Sequence, residues 1–480
     1  MKVIHVPFCF YPDPIGGTEV YVAALARDLR TYGVESLVAA PGETSSAYEY
    51  GSLRVKRYAL SPELRDLRAQ YGEGDRVAAE RFTQILSQER PDVVHLHGFT
   101  QGVSLRVVRA AKARMTPVVF TYHTPTVTCQ RGTMMRWGTQ PCDGVMELHT
   151  CARCTLHGLF EGERDKEYEA GTQASVASAV RNKLATVLAD LLGSLSPVFG
   201  FWLGQRNLQG GHWTALRMTE LVELRHTTIR ALFAEVDHIV AVSQWVKDTL
   251  MRNGIPEVKI TLCRQGVVEE TNLPIPKSEQ SKHHVFPPLR IAFLGRLDST
   301  KGVEVLILAL LSIPQAPLQL DIYGVVQGEA GLRHERQLVR LAATDRRIQF
   351  HAPVPRDEVM STLCNYDLLA VPSQWLETGP LVILEAFAAG VPVIGSRLGG
   401  IAELVRDGVD GILVQPADVE CWSRAFRRLS EDASAIEALR RNVRPPRRMA
   451  TVAKEMAALY RQVLSHGVVA CAPSAVASSI

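Results

Sequence analysis

The stretch YDLLAVPSQWLETGPLVILEAFAAGVPVIGSRLGGIAELVRDGVDG, Tyr366 to Gly411, decides the fold. It opens on an apolar run of strand length, Leu368 to Val371, which Pro372 stops, and a short loop carrying Glu377 leads on to Pro380. From Pro380 to Ala389 apolar residues recur three and four apart, Leu381, Leu384 and Ala388 on one line and Val382, Ala386 and Ala389 on the next. Proline stands at the first helical position and Gly390 just past the end, so both ends of a helix are marked. A second apolar strand, Val391 to Ile394, follows at once. The unit is strand, loop, helix, strand, the right-handed crossover of a parallel sheet. Ligands of such sheets sit beyond the carboxyl ends of the strands. Glu377 lies in that loop, and Glu385 sits about one and a half turns into the helix. Two carboxylates near a positive helix N-terminus suit a ligand that combines hydroxyls with an anionic group, as a sugar nucleotide does. The plainer alternative is a solvated loop glutamate and a helix glutamate in an ordinary Rossmann-like domain.

Working outward, Val3 to Val6 reads as a buried strand, followed by a loop with Gly16-Gly17 and a helix ended by Gly33. A glycine turn between strand and helix lets backbone N–H groups approach a phosphate or a sugar, and a simple tight turn is the competing reading. Strands at Ser36 to Ala40, Val93 to Leu96 and Val118 to Tyr122, with helices near Asp75 to Ser87 and Ser104 to Ala113, continue an alternating β/α pattern. His95, His97 and His123 stand at or near strand ends, where a lone histidine is usually structural. Asp237 to Ser243 resumes the strands, and SQWVKDTLMRNG is a helix with Gly254 after it. The polar, proline-bearing segment Thr271 to Pro288 has no period and marks an interdomain linker. Beyond it, LRIAFLGRLDSTKGVEVLILALL ends a strand at Gly295-Arg296 and starts a helix near Lys301-Gly302. Two cations beside a helix N-terminus can hold a diphosphate, although this is not a P-loop. Strands at Leu318 to Tyr323 and Ile348 to His351 complete the second set, and helices at Asp418 to Ser430 and Arg447 to Ser465 lead to a small-residue tail expected to be disordered.

From Cys129 to Cys154, CQRGTMMRWGTQPCDGVMELHTCARC breaks the β/α rhythm with cysteines at 129, 142, 151 and 154, the last two forming a C-x2-C. Thiolates at that spacing chelate one tetrahedral zinc, with His149 and His157 as alternative ligands. Redox or disulfide chemistry and unpaired structural thiols remain the other readings. Glu161 to Glu235 is helical by composition; LATVLADLLGSLSPVFGFWLG approaches membrane-span length but holds Asp190, Ser196 and Pro197, which excludes a spanning helix. A helix facing a lipid interface or an acceptor stands beside simple packing within the first domain.

At 480 residues and 46% hydrophobic content the chain is too long for one core, and two domains is the expectation. A net charge of +3 with interspersed signs gives no support for nucleic-acid binding, although the basic cluster from Arg440 to Arg448 could meet a phosphate-rich surface. The N-terminal apolar run is too short for a signal peptide, which places the expected location in the cytoplasm, with peripheral contact at the inner face of a membrane also open. Nine cysteines without an export signal argue against a disulfide framework.

The spacing of Glu377 and Glu385 resembles the E-x7-E motif of the retaining glycosyltransferases of family 4, and PSQWLETGPLVILEAFAAGVPVIGSRLGG is similar almost throughout. Gly295-Arg296 and Lys301-Gly302 resemble the family's G-R-x4-K-G diphosphate motif, Gly16-Gly17 its N-terminal glycine loop, and His123 in FTYHTP the histidine near the transferred sugar. The sequence departs from the family in two places, with Gly379 where relatives often carry Phe and RQGV near Arg264 in place of Asn-Gly-Val.

The resemblance implies a GT-B fold, two Rossmann-like doubly wound α/β domains facing across a cleft, with a cysteine-bearing helical insertion in the first. The expected boundaries are 1–270 (insertion about 124–235), linker 271–288, second domain 289–446, a helix 447–465 crossing back to the first domain, and a tail 466–480. The implied reaction moves a hexosyl unit from a UDP- or GDP-sugar to a hydroxyl of a glycan or lipid-linked acceptor with retention. Glu377 and His123 would serve the reacting sugar, and Arg296, Lys301, Gly16 and Gly17 the diphosphate. Glu385 would hold the ribose, and Thr378, Gly379, Leu381 and Val382 would make the backbone contacts. No Asp-x-Asp occurs, so no catalytic cofactor is required, with zinc at the cysteines a structural question only. A sugar-nucleotide epimerase and a non-catalytic nucleotide-sugar-binding protein are the rival functions.

Overall fold

A computed structural model of the chain describes residues 1–13, 16–62, 66–161, 187, 191–192, 194–196, 198–206, 208, 211–268 and 288–469. The segment read as a linker, except Pro288, much of the helical insertion, and residues 470–480 of the tail lie outside the described residues.

Two parallel sheets carry the fold. The first contains β1 (Lys2–Val6), β2 (Glu35–Gly42), β3 (Ser46–Tyr50), β4 (Leu53–Ala59), β5 (Val93–Leu96), β6 (Val118–Tyr122), β9 (His238–Ala241) and β10 (Ile260–Leu262), and a small hairpin of β7 (Met135–Arg136) and β8 (Gln140–Pro141) stands apart. The strand order is β10-β9-β6-β5-β1-β2-β4-β3, parallel except where β3 turns back on β4. The second sheet contains β11 (Leu289–Arg296), β12 (Leu318–Val325), β13 (Ile348–His351), β14 (Leu368–Val371), β15 (Val393–Ser396) and β16 (Gly411–Val414), ordered β13-β12-β11-β14-β15-β16 and wholly parallel. In each, the strand order reverses beside the first strand, at β1/β5 and at β11/β14. Those are the crevices where a doubly wound sheet binds ligands.

The strands read as nearly unbroken apolar runs because helices cover both faces. Successive residues point to opposite faces: Ile4 and Val6 join one core with Leu37, Ala39 and Phe120, whereas Val3 joins another with Val38, Ala40 and Val119. The second sheet divides in the same way, Ile291 and Phe293 facing Leu306 and Trp422 while Ala292 faces Ile383 and Phe387. The last helix, Met449–Val469, packs Val452, Ala453, Met456, Ala457, Tyr460 and Val463 into the core around Val3, Phe10, Tyr21 and Leu25. It continues through 466–469, residues that the composition had suggested were a disordered tail.

Two boundaries in the opening stretch shift. Pro380 is the N-cap of the helix Leu381–Ala388 rather than its first residue, and β15 begins at Val393 because Pro392 lacks the N–H that a central strand would use. The β3/β4 hairpin has no counterpart in the sequence reading.

Candidate active site

Glu377 and Lys301 come from the two loops that leave β14 and β11, the pair of strands at the switch point of the second sheet. One carboxylate oxygen of Glu377, Oε1, collects three donors: Lys301 Nζ at 2.5 Å, Ser373 Oγ at 2.8 Å and Trp375 Nε1 at 2.9 Å. Glu377 is buried and Lys301 partly so, with the ammonium 5.4 Å from the centre of the Trp375 ring. The turn that delivers Lys301 depends on Gly302. Its φ is +70°, and a Cβ there would stand 2.1 Å from the carbonyl oxygen of Pro372, so the two loops touch only because this side chain is missing. Arg296, the other diphosphate candidate, pairs with Asp298 at 3.3 Å.

Glu385 is buried in the helix Leu381–Ala388 and pairs with Arg356, from the turn that follows β13. The sequence reading did not include Arg356; a single arginine in a loop carries no spacing signal. Leu381 and Val382 occupy the first turn of that helix, where N–H groups have no intrahelical acceptor.

The first sheet brings the Gly16-Gly17 loop to this helix, so that a Cβ on Gly17 would stand 3.7 Å from Leu381 Cδ1. The Gly16 N–H is already used: it donates to Glu19 Oε2 at 2.7 Å. Glu19 is fully buried, and burial raises its carboxyl above the usual range, countered by backbone N–H donors, the Cys9 thiol and the charge of Arg296 from the opposite sheet. Sequence reasoning missed Glu19, which reads as an ordinary first-turn glutamate.

His123, directly after β6, is buried, and its main-chain oxygen accepts the Thr378 hydroxyl at 2.6 Å. Its Nε2 lies 3.1 Å from His97 Nδ1, and His97 Nε2 lies 3.1 Å from His5 Nδ1, while His5 Nε2 reaches Ser36 at 3.3 Å. His95 is bound instead by Thr121 at 2.7 Å and Tyr460 at 2.6 Å. Burial holds His5 and His123 down to about 3 and His95 and His97 well below the ordinary histidine value, so all four are neutral. His5 was absent from the sequence reading. Among the described residues, His123 Nδ1 and Gln265 Oε1 are buried without a hydrogen-bond partner. The two departures noted above lie side by side: a Cβ at position 379 would meet the Gln265 Oε1 of the RQGV segment at 2.8 Å.

Further contacts clasp the halves together. Glu403 accepts the N–H groups of Gln244 and Trp245 at 2.8 and 2.7 Å, capping a helix of the opposite half, and Trp245 Nε1 donates to the carbonyl of Glu377 at 3.0 Å.

Cys129, Cys142, Cys151 and Cys154 all line one cavity of about 280 Å³, and none is in a disulfide. Their sulfurs are not drawn as close as a bound ion requires: among the described residues, only the ligand atoms of His5, His95 and His97 meet within 4.8 Å.

Residues 276–445 match the family described as Glycosyl transferases group 1, and residues 15–146 match Glycosyltransferase Family 4. The chain belongs to the family 4 glycosyltransferases. It is similar to D-inositol 3-phosphate glycosyltransferase of Corynebacterium diphtheriae, 35% identical over 163 residues that cover 32% of this chain and 38% of that one. To the Salinispora tropica enzyme of the same name it is 39% identical over 152 residues, covering 30% and 31%. The matched stretch thus spans about a third of the length of these curated relatives. Among solved structures, sucrose-phosphate synthase from Thermosynechococcus elongatus superposes with a TM-score of 0.63 at 19% identity, covering 97% of this chain and 100% of that one. Anabaena HepE in complex with UDP and glucose superposes with a TM-score of 0.58 at 16% identity, covering 96% and 99%. This family 4 glycosyltransferase therefore has the GT-B fold. No helix among its described residues is long and apolar enough to cross a membrane.

Proposed function

We propose that this protein transfers a hexosyl unit from a nucleoside diphosphate sugar to a hydroxyl, with retention of the anomeric configuration. The observation that carries the reading is the Glu377–Lys301 cluster at the β11/β14 crevice, facing the Gly17 loop and His123. The diphosphate lies along the first turn of the helix Leu381–Ala388, with Lys301 and Arg296 as its cations. The ribose takes Glu385, displacing Arg356. HepE, whose structures hold UDP, and the shared fold support a nucleotide-sugar donor for this chain.

As the bond between the anomeric carbon and the phosphate oxygen breaks, negative charge grows on the diphosphate and positive charge on the sugar ring. Lys301, Arg296 and the helix N-terminus stabilise the first, and the Glu377 carboxylate the second. The acceptor oxygen enters on the face that the phosphate leaves, which preserves configuration, and the departing phosphate oxygen takes the acceptor proton. His123, neutral by burial, donates or accepts a hydrogen bond at the sugar and transfers no charge.

The helical residues 198–205 expose Val198, Phe199, Phe201 and Trp202, with Arg206 stacked 3.9 Å over the Trp202 ring. An apolar, aromatic face edged by a cation favours an acceptor presented at a lipid surface. The experiment is incubation with a panel of UDP- and GDP-sugars, with and without chelator and lipid or glycan acceptors. Nucleoside diphosphate release that depends on acceptor and persists in chelator supports transfer. Conversion of the donor without any acceptor would identify an epimerase, and binding without turnover a non-catalytic protein.

A further inference from the structure

We infer that Cys129, Cys142, Cys151 and Cys154 bind one structural zinc ion, and that this ion fixes the segment that clasps the donor loop. Four thiols from two separate stretches, none in a disulfide, line a single cavity although they span a turn-rich hairpin and a helix, and nothing in the proposed transfer uses them. The backbone around them is already arranged for sulfur. The Gly144 N–H donates to Cys142 Sγ at 3.5 Å, two residues along, and the Trp137 N–H donates to Cys154 Sγ at 3.4 Å. N–H donors aimed at sulfur stabilise thiolate ligands. The first needs Gly144 at φ +80°, where a Cβ would collide with Thr249 at 2.6 Å. Cys151 and Cys154 stand one turn apart on the helix Leu148–Glu161, the C-x2-C spacing that offers two ligands on one face. A tetrathiolate zinc carries two negative charges, and Arg131, bonded to the Cys154 carbonyl at 3.1 Å, and Arg136 stand beside it. The sulfurs stand farther apart than one ion would hold them, so binding requires the cysteine side chains to turn into the cavity they share, with release of the thiol protons.

The loop closed by Cys129 and Cys142 also reaches the active site. The Leu376 N–H, next to Glu377, donates to Thr133 O at 3.0 Å, and Met134 and Met135 pack with Leu376 and Leu398. An ion that ties down both ends of this loop therefore also steadies the donor loop. That coupling rests on the proposed function, whereas the metal site does not.

The test is elemental analysis of the full-length protein, purified under reducing conditions without metal-affinity resin and passed over a chelating column. About one zinc per chain is expected in the wild type and less than a tenth of that in Cys151→Ser/Cys154→Ser. If the double variant does not fold, cobalt exchanged into the wild type should give intense thiolate-to-cobalt charge transfer with the visible bands of a tetrahedral site. Metal-free protein, an octahedral cobalt spectrum, an iron–sulfur spectrum or disulfides joining these cysteines would each overturn the assignment. For the coupling, UDP should bind the soluble double variant several-fold more weakly than the wild type, and equal affinity would overturn it. Zinc present without any UDP binding to the wild type would instead refute the functional reading and leave the metal site standing.

Discussion

Replacing Lys301 with methionine separates a cation that serves the substrate from one that merely neutralises a buried glutamate. In the free protein its ammonium is the only charged member of the three donors on Glu377 Oε1, and the Glu377 side chain is 9% exposed. Losing a hydrogen bond to a charged group costs about 1.5–3 kcal/mol, so Lys301→Met should lower stability by about 2 kcal/mol, with Ser373 and Trp375 retaining the carboxylate. Loss of a donor from a developing anion costs about 2.7–4 kcal/mol, or roughly 100- to 1,000-fold in kcat. The second substitution, Glu377→Gln, removes the charge that Lys301 neutralises. Adding Lys301→Met to Glu377→Gln should then cost under about 1 kcal/mol in stability yet still lower kcat by more than about tenfold, a coupling that a double-mutant cycle measures. Urea melts and steady-state release of the nucleoside diphosphate on the four proteins supply the numbers. If Lys301→Met has no further effect on kcat in the Glu377→Gln background, the lysine acts only through the glutamate, and its assignment to the diphosphate is wrong.

Glu385→Ala should mainly raise KM for the donor, because bonds to a ribose persist in ground and transition states alike, while Glu377→Gln should mainly lower kcat; donor-varied kinetics with the effects reversed would exchange their roles. Gly302→Ala should lower the unfolding free energy by at least about 2 kcal/mol, through left-handed strain and the clash with the Pro372 carbonyl, and a melt within half a kcal/mol of wild type would show that the loop relaxes. The buried histidines have folded values below their unfolded one, so their contribution is fully present above pH 6.5. It is lost as pH falls from there toward about 3, the value for His5 and His123. Stability measured from pH 8 to 4 should therefore drop below about 6.5, less steeply in His5→Phe, and an unchanged slope in that variant would remove His5 from the cause.

The stretch from Tyr366 to Gly411 carried most of the fold because its signals are local. A proline, a glycine and an apolar period mark a helix wherever they occur, and the two glutamates stand within one unit of chain. The residues that sequence missed depend on contacts between segments far apart in the chain. Arg356 meets Glu385 from another loop, and Glu403 caps a helix more than a hundred and fifty residues earlier. Glu19 and His5 become unusual only through complete burial. The β3/β4 hairpin was illegible for the opposite reason: SAYEY is the edge strand and LRVKRYA, beside it, carries three charged side chains, so both are polar enough to pass for a loop.

The last helix gives the order of events during synthesis a particular shape. The sheet face around Val3, Val38 and Ala40 is laid down first, yet the residues that complete its cover, Val452 to Val463, leave the ribosome only after every strand of the second sheet. Until then that face is covered only in part, by the helix Gly17–Asp28, and His95 lacks the Tyr460 hydroxyl that binds its Nδ1. The first half of the nascent chain must wait, incomplete and apolar on one side, for the far end to arrive. In the cell, the interval between those two moments is when a chaperone has most to hold and an aggregate most to capture.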